Sequence, residues 1–555
     1  MFTLVTFSGK SQQLAFPTAE GSGRFAKGGR GGSVYEVTNL SNSGTGSIVD
    51  AVSQPNRTIV FRVSGTIELG NVLLEPRSNT TIAGQTAPGD GICIKGRIKI
   101  GDVSNVIIRY LRVRVDAGAP NADGDAVDIA GGPNCQNIII DHVSASFARD
   151  EGISCRETNT NVTVQWCIIS EGLLLGGGHS YGSLIRGDYG DKKSFHHNLY
   201  AHNLGRNPRP GNYNSVEKDP EGLHFDFRNN VVYNWQGKKP GYNDDTDHMC
   251  RYNFVGNVYI PGPESDQSGK YTDSFRENCL ICYGFFDKNS YDGIVPDDQY
   301  SLVRFQNFTP EQVAAYKERS SLPVKMEPVR TTTPAQAKTE VLAYAGASFP
   351  KRDTIDRRIV NDVLNKTGHF IDSIDDQPEG AWPLLNSLPA PADDDHDGMP
   401  NEWELANILD PNDASDRNLI GDNGYTKLEE YLNSIVEKYT VRLDDTTGLL
   451  PDKPIITDPS SISTPNSGGF YLHQNYPNPF NALTTIRFEI ASACYTTLKV
   501  FDIYGREVAV LVDGLKTAGK HEEEFNGSIL SNGVYIYQLR VGKYIETKKL
   551  LLKQQ

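Results

Sequence analysis

Between residues 79 and 260 short apolar runs recur, each opening on or near an asparagine and closing on a polar turn. Asn79-Thr-Thr-Ile-Ala-Gly, Asn105-Val-Ile-Ile-Arg-Tyr, Asn137-Ile-Ile-Ile-Asp-His and Asn161-Val-Thr-Val-Gln-Trp are near copies. Ser194-Phe-His-His-Asn, His224-Phe-Asp-Phe-Arg-Asn-Asn and Arg251-Tyr-Asn-Phe-Val-Gly-Asn are looser ones, and successive starts lie 24 to 33 residues apart. Each run reads as a strand followed by a turn. One such unit cannot bury its own apolar face and must stack on its neighbours, so the period predicts a solenoid. No helical pattern intervenes, which excludes leucine-rich and ankyrin-type repeats. The prediction is an all-β chain built on a right-handed parallel β-helix. Its asparagines stack at matching turns, and its aliphatic side chains fill the bore over about Leu14 to Val258.

The flanks break this pattern. Residues 14–63 are glycine-rich, but Gly28-Gly29-Arg30-Gly31-Gly32 lacks a following Gly-Lys-Ser/Thr and leads into a strand, so it reads as tight turns and not as a phosphate loop. Residues 47–52 read as a short capping helix. From Pro261 to Thr333 the repeat fades, which reads as a groove-side insertion with a short helix at 311–319. Residues 341–347 and 353–364 read as a helical tail packed back on the solenoid, with Arg357 and Arg358 at the surface. Asp393-x-Asp395-x-Asp397-Gly398-x₅-Glu404 has the spacing of an EF-hand loop with Asn401 at its ninth position, and Asp422 to Glu430 looks like a degenerate second copy. Residues 446–469 are rich in Pro, Ser and Thr, as linkers are. Strands then return at 484–489, 496–502, 507–512, 533–541 and 544–552. The expected divisions are a tail or signal-peptide remnant at 1–13 and the β-helix at 14–385. An EF-hand-like module at 390–440, a linker at 441–468 and a strand-rich domain at 469–555 follow.

Composition adjusts this picture in three places. A chain of 555 residues implies several domains, and no apolar run is long enough to span a bilayer. The net charge of −15 argues against a general nucleic-acid binder. Residues 186–239 nonetheless hold nine Lys/Arg against six Asp/Glu, a local field suited to a polyanion. Of the eight cysteines only Cys279 and Cys282 form a CxxC, so the set reads as buried thiols, with one or two disulfides available to an exported chain.

Chemistry concentrates between Asp123 and Arg209. Asp123-Gly-Asp125, Asp141-His142 and Arg149-Asp150-Glu151 come first; His196-His197-Asn198 and Arg206-Asn-Pro-Arg209 come last. In a solenoid, residues one coil apart in sequence lie about one strand spacing apart, ~4.8 Å. Asp125 and Asp150 can therefore be neighbours. Paired carboxylates repel unless a cation sits between them, and oxygen-only ligands select a hard ion such as Ca²⁺.

These motifs, in this order, resemble pectate lyases of polysaccharide lyase family 1 over about residues 14–383. The resemblance implies that Asp125 and Asp150 hold an active-site calcium, with Asp123 and Glu151 as further ligands, and that Arg206 takes the C5 proton of a uronate. An arginine is charged at ordinary pH, so it also implies activity best at alkaline pH. The family's further acid falls near Ser154. Its groove lysine has no lysine counterpart in residues 171–186, where His179 or Arg186 would substitute. Its second arginine falls at Gly211, with Arg209 two residues earlier. Asn475-Tyr-Pro-Asn-Pro-Phe-Asn481 and the terminal Lys-Lys-Leu-Leu-Leu resemble the type A sorting domain of type IX secretion, which implies a small β-sandwich at 469–555 and export to the medium or cell surface. The expectation is a secreted, monomeric lyase acting on pectate. A non-catalytic uronate-binding β-helix and a polygalacturonase-like hydrolase are the alternatives, although Arg97-Ile-Lys and Gly178-His179 stand in the wrong order for the latter.

Overall fold

The computed structural model describes residues 12–437 and 471–554, apart from 120–122, 175–178, 238, 267, 269–271, 378–379, 381, 491–493, 503–506, 529 and 542–543. The expected N-terminal tail and linker therefore fall almost wholly outside the described residues. The chain divides into two units, 1–453 and 454–555.

The first unit is a parallel β-helix with three faces. A typical coil supplies Gln136–Asp141 to the first face, Ser144–Ser146 to the second and Ile153–Cys155 to the third. The first face is a sheet of ten strands from Ser33–Val37 to Tyr283–Asp287, each parallel to the next. The second and third faces join through the long strand Ile92–Gly101, whose first half pairs with Leu111–Arg114 and second half with Val127–Gly131. Coils continue beyond Val258: Phe275–Glu277, Tyr283–Asp287, Ser290–Tyr291 and Val303–Phe305 extend the three faces. The expected insertion is thus a further stretch of solenoid. Its pattern fades in sequence because the remaining first-face strand, Tyr283–Asp287, carries aromatics and a glycine where earlier copies carry aliphatics.

Side-chain ladders hold successive coils. Asn198, Asn230, Asn257 and Asn289 form one, each amide donating to the next at 2.9–3.1 Å. Another turn stacks the rings of Tyr110, His142, Trp166 and His197 at centroid spacings of 4.5, 6.1 and 4.4 Å. The bore is aliphatic in the early coils, with Val106, Ile138 and Val162, and turns aromatic later with Phe195, Phe225, Phe254 and Phe286. The helix Ile48–Val52 packs into one end of this core, and Tyr316 of Pro310–Arg319 into the other.

Two faces are covered on the outside. Ala15, Phe16, Ala19 and Ala26 pack on Ile107 and Ile139 of the first face, which explains why those strands are apolar on both sides. The glycines of this segment permit the approach: a Cβ on Gly23 would lie 2.2 Å from the Ile138 carbonyl oxygen, and one on Gly29 2.3 Å from that of Arg57. Helices Pro334–Tyr344 and Thr354–Asn365 pack on the second face, as expected of the tail. Arg358, expected at the surface, is half-buried and paired with buried Glu171 at 2.7 Å. The third face carries the candidate site.

The second unit holds two antiparallel sheets around one core that includes Leu472, Phe488, Val500, Tyr537 and Leu552. One sheet contains Gly519–Asn526, a strand absent from the expectation because its Lys-His-Glu-Glu-Glu run buries little but Phe525. The seven cysteines with described side chains are buried free thiols. Among the described residues no helix is long and apolar enough to cross a membrane.

Candidate active site

The turn that enters the third face repeats coil after coil, and its backbone hydrogen bonds align Asp125, Asp150-Glu151, Tyr181 and Arg206. Ala126 N donates to Glu151 O, Tyr181 N to Asp150 O and Ser183 N to Arg206 O, at 3.1, 3.0 and 2.7 Å. The same register continues to the next coil, where Asn207 N donates to Pro240 O at 2.9 Å. Stacking at strand spacing thus converts a separation of about eighty residues into one short column.

At the head of the column, carboxylate oxygens of Asp125, Asp150 and Glu151 lie within 4.8 Å of one another. Asp125 is buried; its Oδ1 accepts from Glu151 N at 3.2 Å and its Oδ2 has no hydrogen-bond partner. Burial, then the Glu151 charge, pushes its pKa well above the usual carboxylate range. The turn is held from behind by Arg97, whose Nε and Nη1 donate to the carbonyls of Asp125 and Asp123 at 2.8 and 2.9 Å. Gly124, at φ +130°, is needed there, since a Cβ would lie 2.1 Å from the Arg97 guanidinium. Asp123, expected as a ligand, instead extends to solvent and pairs with Arg149 at 3.0 Å.

Arg206 follows. Its Nη1 contacts Glu151 and lies 3.6 Å from Asp150 Oδ1, and its guanidinium sits 4.0 Å from the centroid of Tyr181. Burial works against its charge, but Glu151 and Tyr242 outweigh it and hold its pKa above the usual guanidinium range. His179 Nδ1 lies 3.3 Å from Asp150 Oδ1 in an exposed position. Ser154, where the family's further acid would fall, is buried and accepts from Leu184 N at 3.1 Å, a structural bond.

Beyond Arg206 the face turns basic. Arg186 is paired with Asp245, as is Arg209 at 3.6 Å. A Cβ on Gly211 would lie 2.5 Å from Arg186 Nη1, so Arg186 occupies the space in front of the glycine that stands where the family's second arginine falls. One coil further Tyr242 aligns with Arg276 and Arg304. Lys239 Nζ lies 4.3 Å from the Tyr242 ring centroid, and among the described residues no carboxylate is within ion-pair reach of it. Burial, then Arg276, lowers its pKa to about 8. Lys239 stands 33 residues after Arg206, one coil on, outside the residues 171–186 where a groove lysine is expected. The local excess of Lys/Arg in residues 186–239 was the available signal.

The histidines that help carry the resemblance lie elsewhere. His142 and His197 belong to the ring ladder, and burial lowers His196 to about 3 and His197 well below the usual range. Asp141 is locked between Arg109 and His142 at 2.7 and 2.8 Å. These residues are buried and build the wall of the solenoid.

A second carboxylate cluster lies at 393–416. Oxygens of Asp393, Asp395 and Asp397 lie within 4.8 Å of one another, as do those of Asp397, Glu404 and Asp416. Two features differ from an EF-hand. The six-residue helix Asn401–Ala406 follows the loop, but the described residues before it are not helical. Asn401, expected as a ligand, has its Oδ1 taken by Asp394 N at 2.9 Å. Burial, with neighbouring carboxylates adding to it, pushes Asp397 up to about 7 and Glu404 to about 8. The second loop, 422–430, gathers no such cluster among the described residues: Glu430 pairs with Lys427 at 2.8 Å.

Residues 474–553 match the family described as secretion system C-terminal sorting domain. The chain is 37% identical over 432 residues to probable pectate lyase C of Neosartorya fischeri, covering 76% of this chain and 94% of that one. It is 36% identical over 430 residues to probable pectate lyase C of Aspergillus fumigatus, with the same coverage of 76% and 94%. Among solved structures, Jun a 1, the major allergen from cedar pollen, aligns over 55% of this chain and 91% of its own at 17% identity and a TM-score of 0.33.

Proposed function

Since the chain belongs to the pectate lyase family, we propose that it cleaves pectate by calcium-dependent β-elimination, releasing oligogalacturonides with an unsaturated end. The observation that carries this reading is the contact of Arg206 with Glu151 beside the unpartnered Oδ2 of buried Asp125. Asp125, Asp150 and Glu151 would hold the cation, and an all-carboxylate donor set suits Ca²⁺. Bound there, Ca²⁺ would neutralise the uronate carboxylate and acidify the neighbouring C5–H.

The chain's own residues do the rest. Lys239, Arg209 and Arg186 engage carboxylates of the polymer further along the face, and His179 borders the cluster. Arg206 first gives a guanidinium proton to solvent, and its neutral guanidine nitrogen then accepts the C5 proton. The C5–H electron pair becomes the C4–C5 double bond as the C4–O bond breaks, and the departing oxygen takes a proton from solvent. Glu151 holds Arg206 charged in the free chain, so proton acceptance requires that pairing to loosen and is favoured by high pH. The C-terminal domain directs the chain to secretion or the cell surface. We read it as the type IX signal, on a protein that acts as a monomer.

Ultraviolet absorbance of the unsaturated product, followed on polygalacturonate with and without chelator, tests this. Absorbance that chelator abolishes is the expected result. Reducing ends without absorbance would mean a hydrolase, and binding without product a non-catalytic uronate-binding protein.

A further inference from the structure

We infer that the chain carries a second, purely structural Ca²⁺ site, formed by Asp395, Asp397, Glu404 and Asp416, that clasps residues 392–437 to the first coils of the β-helix. The donor atoms can be named. Asp395 Oδ2, Asp397 Oδ2, both carboxylate oxygens of Glu404 and Asp416 Oδ1 are buried and have no hydrogen-bond partner. Glu404 and Asp397 are 0% exposed and Asp416 is 7% exposed. Each aspartate is aimed by its other oxygen: Asp395 Oδ1 accepts from Asp397 N at 3.3 Å, Asp397 Oδ1 from Met399 N at 2.8 Å and Asp416 Oδ2 from Asp410 N at 3.0 Å. Asp393 has both oxygens occupied by the N–H groups of Asp397 and Gly398, with Arg62 at 3.6 Å, and so braces the loop from behind.

Buried carboxylate oxygens without donors are strongly disfavoured unless a cation takes them. Carboxylate oxygens of Asp397, Glu404 and Asp416 lie within 4.8 Å of one another and Asp395 joins them through Asp397, a set that, with both oxygens of one glutamate free, matches the high coordination number and bidentate carboxylate of Ca²⁺. Mg²⁺ prefers to keep its waters, and Zn²⁺ favours nitrogen and sulfur. Asp416 belongs to a separate turn, residues 410–419, and stands in for the Asn401 that the loop spacing suggests. The ion would therefore tie two turns together, where an EF-hand ion serves one loop between two helices.

The clasped segment is seated on the first face. His396 pairs with Glu36 at 2.8 Å and Arg30 with Glu429 at 2.8 Å, and Arg109 donates to Asn433 at 3.2 Å. Met399, Leu428 and Leu432 pack on Val60 and Ala83. Asp416 lies upstream of the helix Lys427–Ser434 that supplies most of these contacts, so the ion fixes the start of the segment that covers the early coils.

The test uses the full chain carrying Asp125→Asn and Asp150→Asn, which silences the groove cluster and separates this proposal from the lyase reading. Calorimetric titration should still find one tight Ca²⁺, and Ca²⁺ should raise the unfolding temperature by several degrees over chelator. Adding Asp416→Ala should weaken binding by about 10-fold or more, the loss that even an outer contact to a metal ligand can cause, and should remove the thermal shift. Adding Asn401→Ala should leave binding unchanged. If Asp416→Ala fails to fold, crystals of the parent soaked in Tb³⁺ decide: an anomalous peak among Asp397, Glu404 and Asp416 supports the site. No peak there, no calcium heat in the parent, or an Asp416→Ala variant that titrates like its parent overturns it.

Discussion

At the residue scale, Arg206 and Lys239 should respond to pH and mutation in opposite ways. Arg206→Lys should lower kcat by about 10²–10⁴-fold, the usual cost of a lost general base, because lysine cannot reproduce the planar fork. Calcium should not restore it, whereas Asp150→Asn should recover in part when calcium is raised, by mass action. Identical calcium responses in the two variants would reduce Arg206 to a carboxylate clamp. Arg206 must shed a proton to act and its pKa is held above the usual range, so kcat should climb steadily towards alkaline pH. Lys239 must keep its proton to bind, and its pKa is lowered to about 8, so KM should rise as pH passes through that value. Lys239→Ala should raise KM at neutral pH, spare kcat and flatten the KM–pH profile. Initial rates on polygalacturonate between pH 7 and about pH 10 would separate the two effects. A KM that stays flat in the parent chain would remove Lys239 from the groove.

At the scale of elements, the asparagine ladder makes the coils interdependent. Asn230 donates to Phe195 O and Asn257 Oδ1, and its Oδ1 accepts from the backbone and side chain of Asn198. Asn230→Ala would leave the buried Asn198 N–H and Phe195 carbonyl without these partners, at about 1–3 kcal/mol each. Phe254→Ala, in the aromatic bore, should cost about 3–5 kcal/mol through lost burial and a residual cavity. Urea unfolding followed by tryptophan fluorescence would measure both. A loss below about 1 kcal/mol for Asn230→Ala would mean that water replaces the ladder. The fading of the repeat after Val258 belongs to this scale too. The repeat is carried by first-face strands, and after Arg251 the described residues add one more, Tyr283–Asp287, in which a glycine and aromatics replace the aliphatic run.

At the scale of the whole molecule, residues 1–453 and 454–555 are separate compact units. A chain ending at Glu437 should therefore keep the unfolding temperature and the lyase activity of the first unit, and lose only its export. Circular dichroism melts and the absorbance assay on both lengths would check this; a fall in melting temperature of several degrees would show that the first unit depends on the second. Much of the architecture was legible beforehand because it is written in local pattern. The repeat spacing specified stacked strands, and the Pro/Ser/Thr-rich stretch separated two apolar regions. The site was legible only in part. Asp125, Asp150, Glu151, Arg206 and Lys239 recur at coil spacing, Lys239 falling 33 residues after Arg206, whereas Asp416 carries no spacing signal of its own.

The sequence by itself determined that strands would stack, that carboxylates would precede arginines along the chain and that strands would return after the linker. These follow from periodicity and chain order, which are properties of neighbours in the chain. The tertiary structure decided which oxygens are left free. Asp123 and Asn401 satisfy the spacing but point elsewhere, one to Arg149 and solvent, the other to the backbone of Asp394. Asp416 and Lys239 lie outside every motif and are brought in by turns that only the packed fold positions. The physical reason is that a ligand or a groove cation is defined by the direction of its side chain and by what else competes for its atoms. Both are fixed by contacts between distant residues, and spacing along the chain records neither.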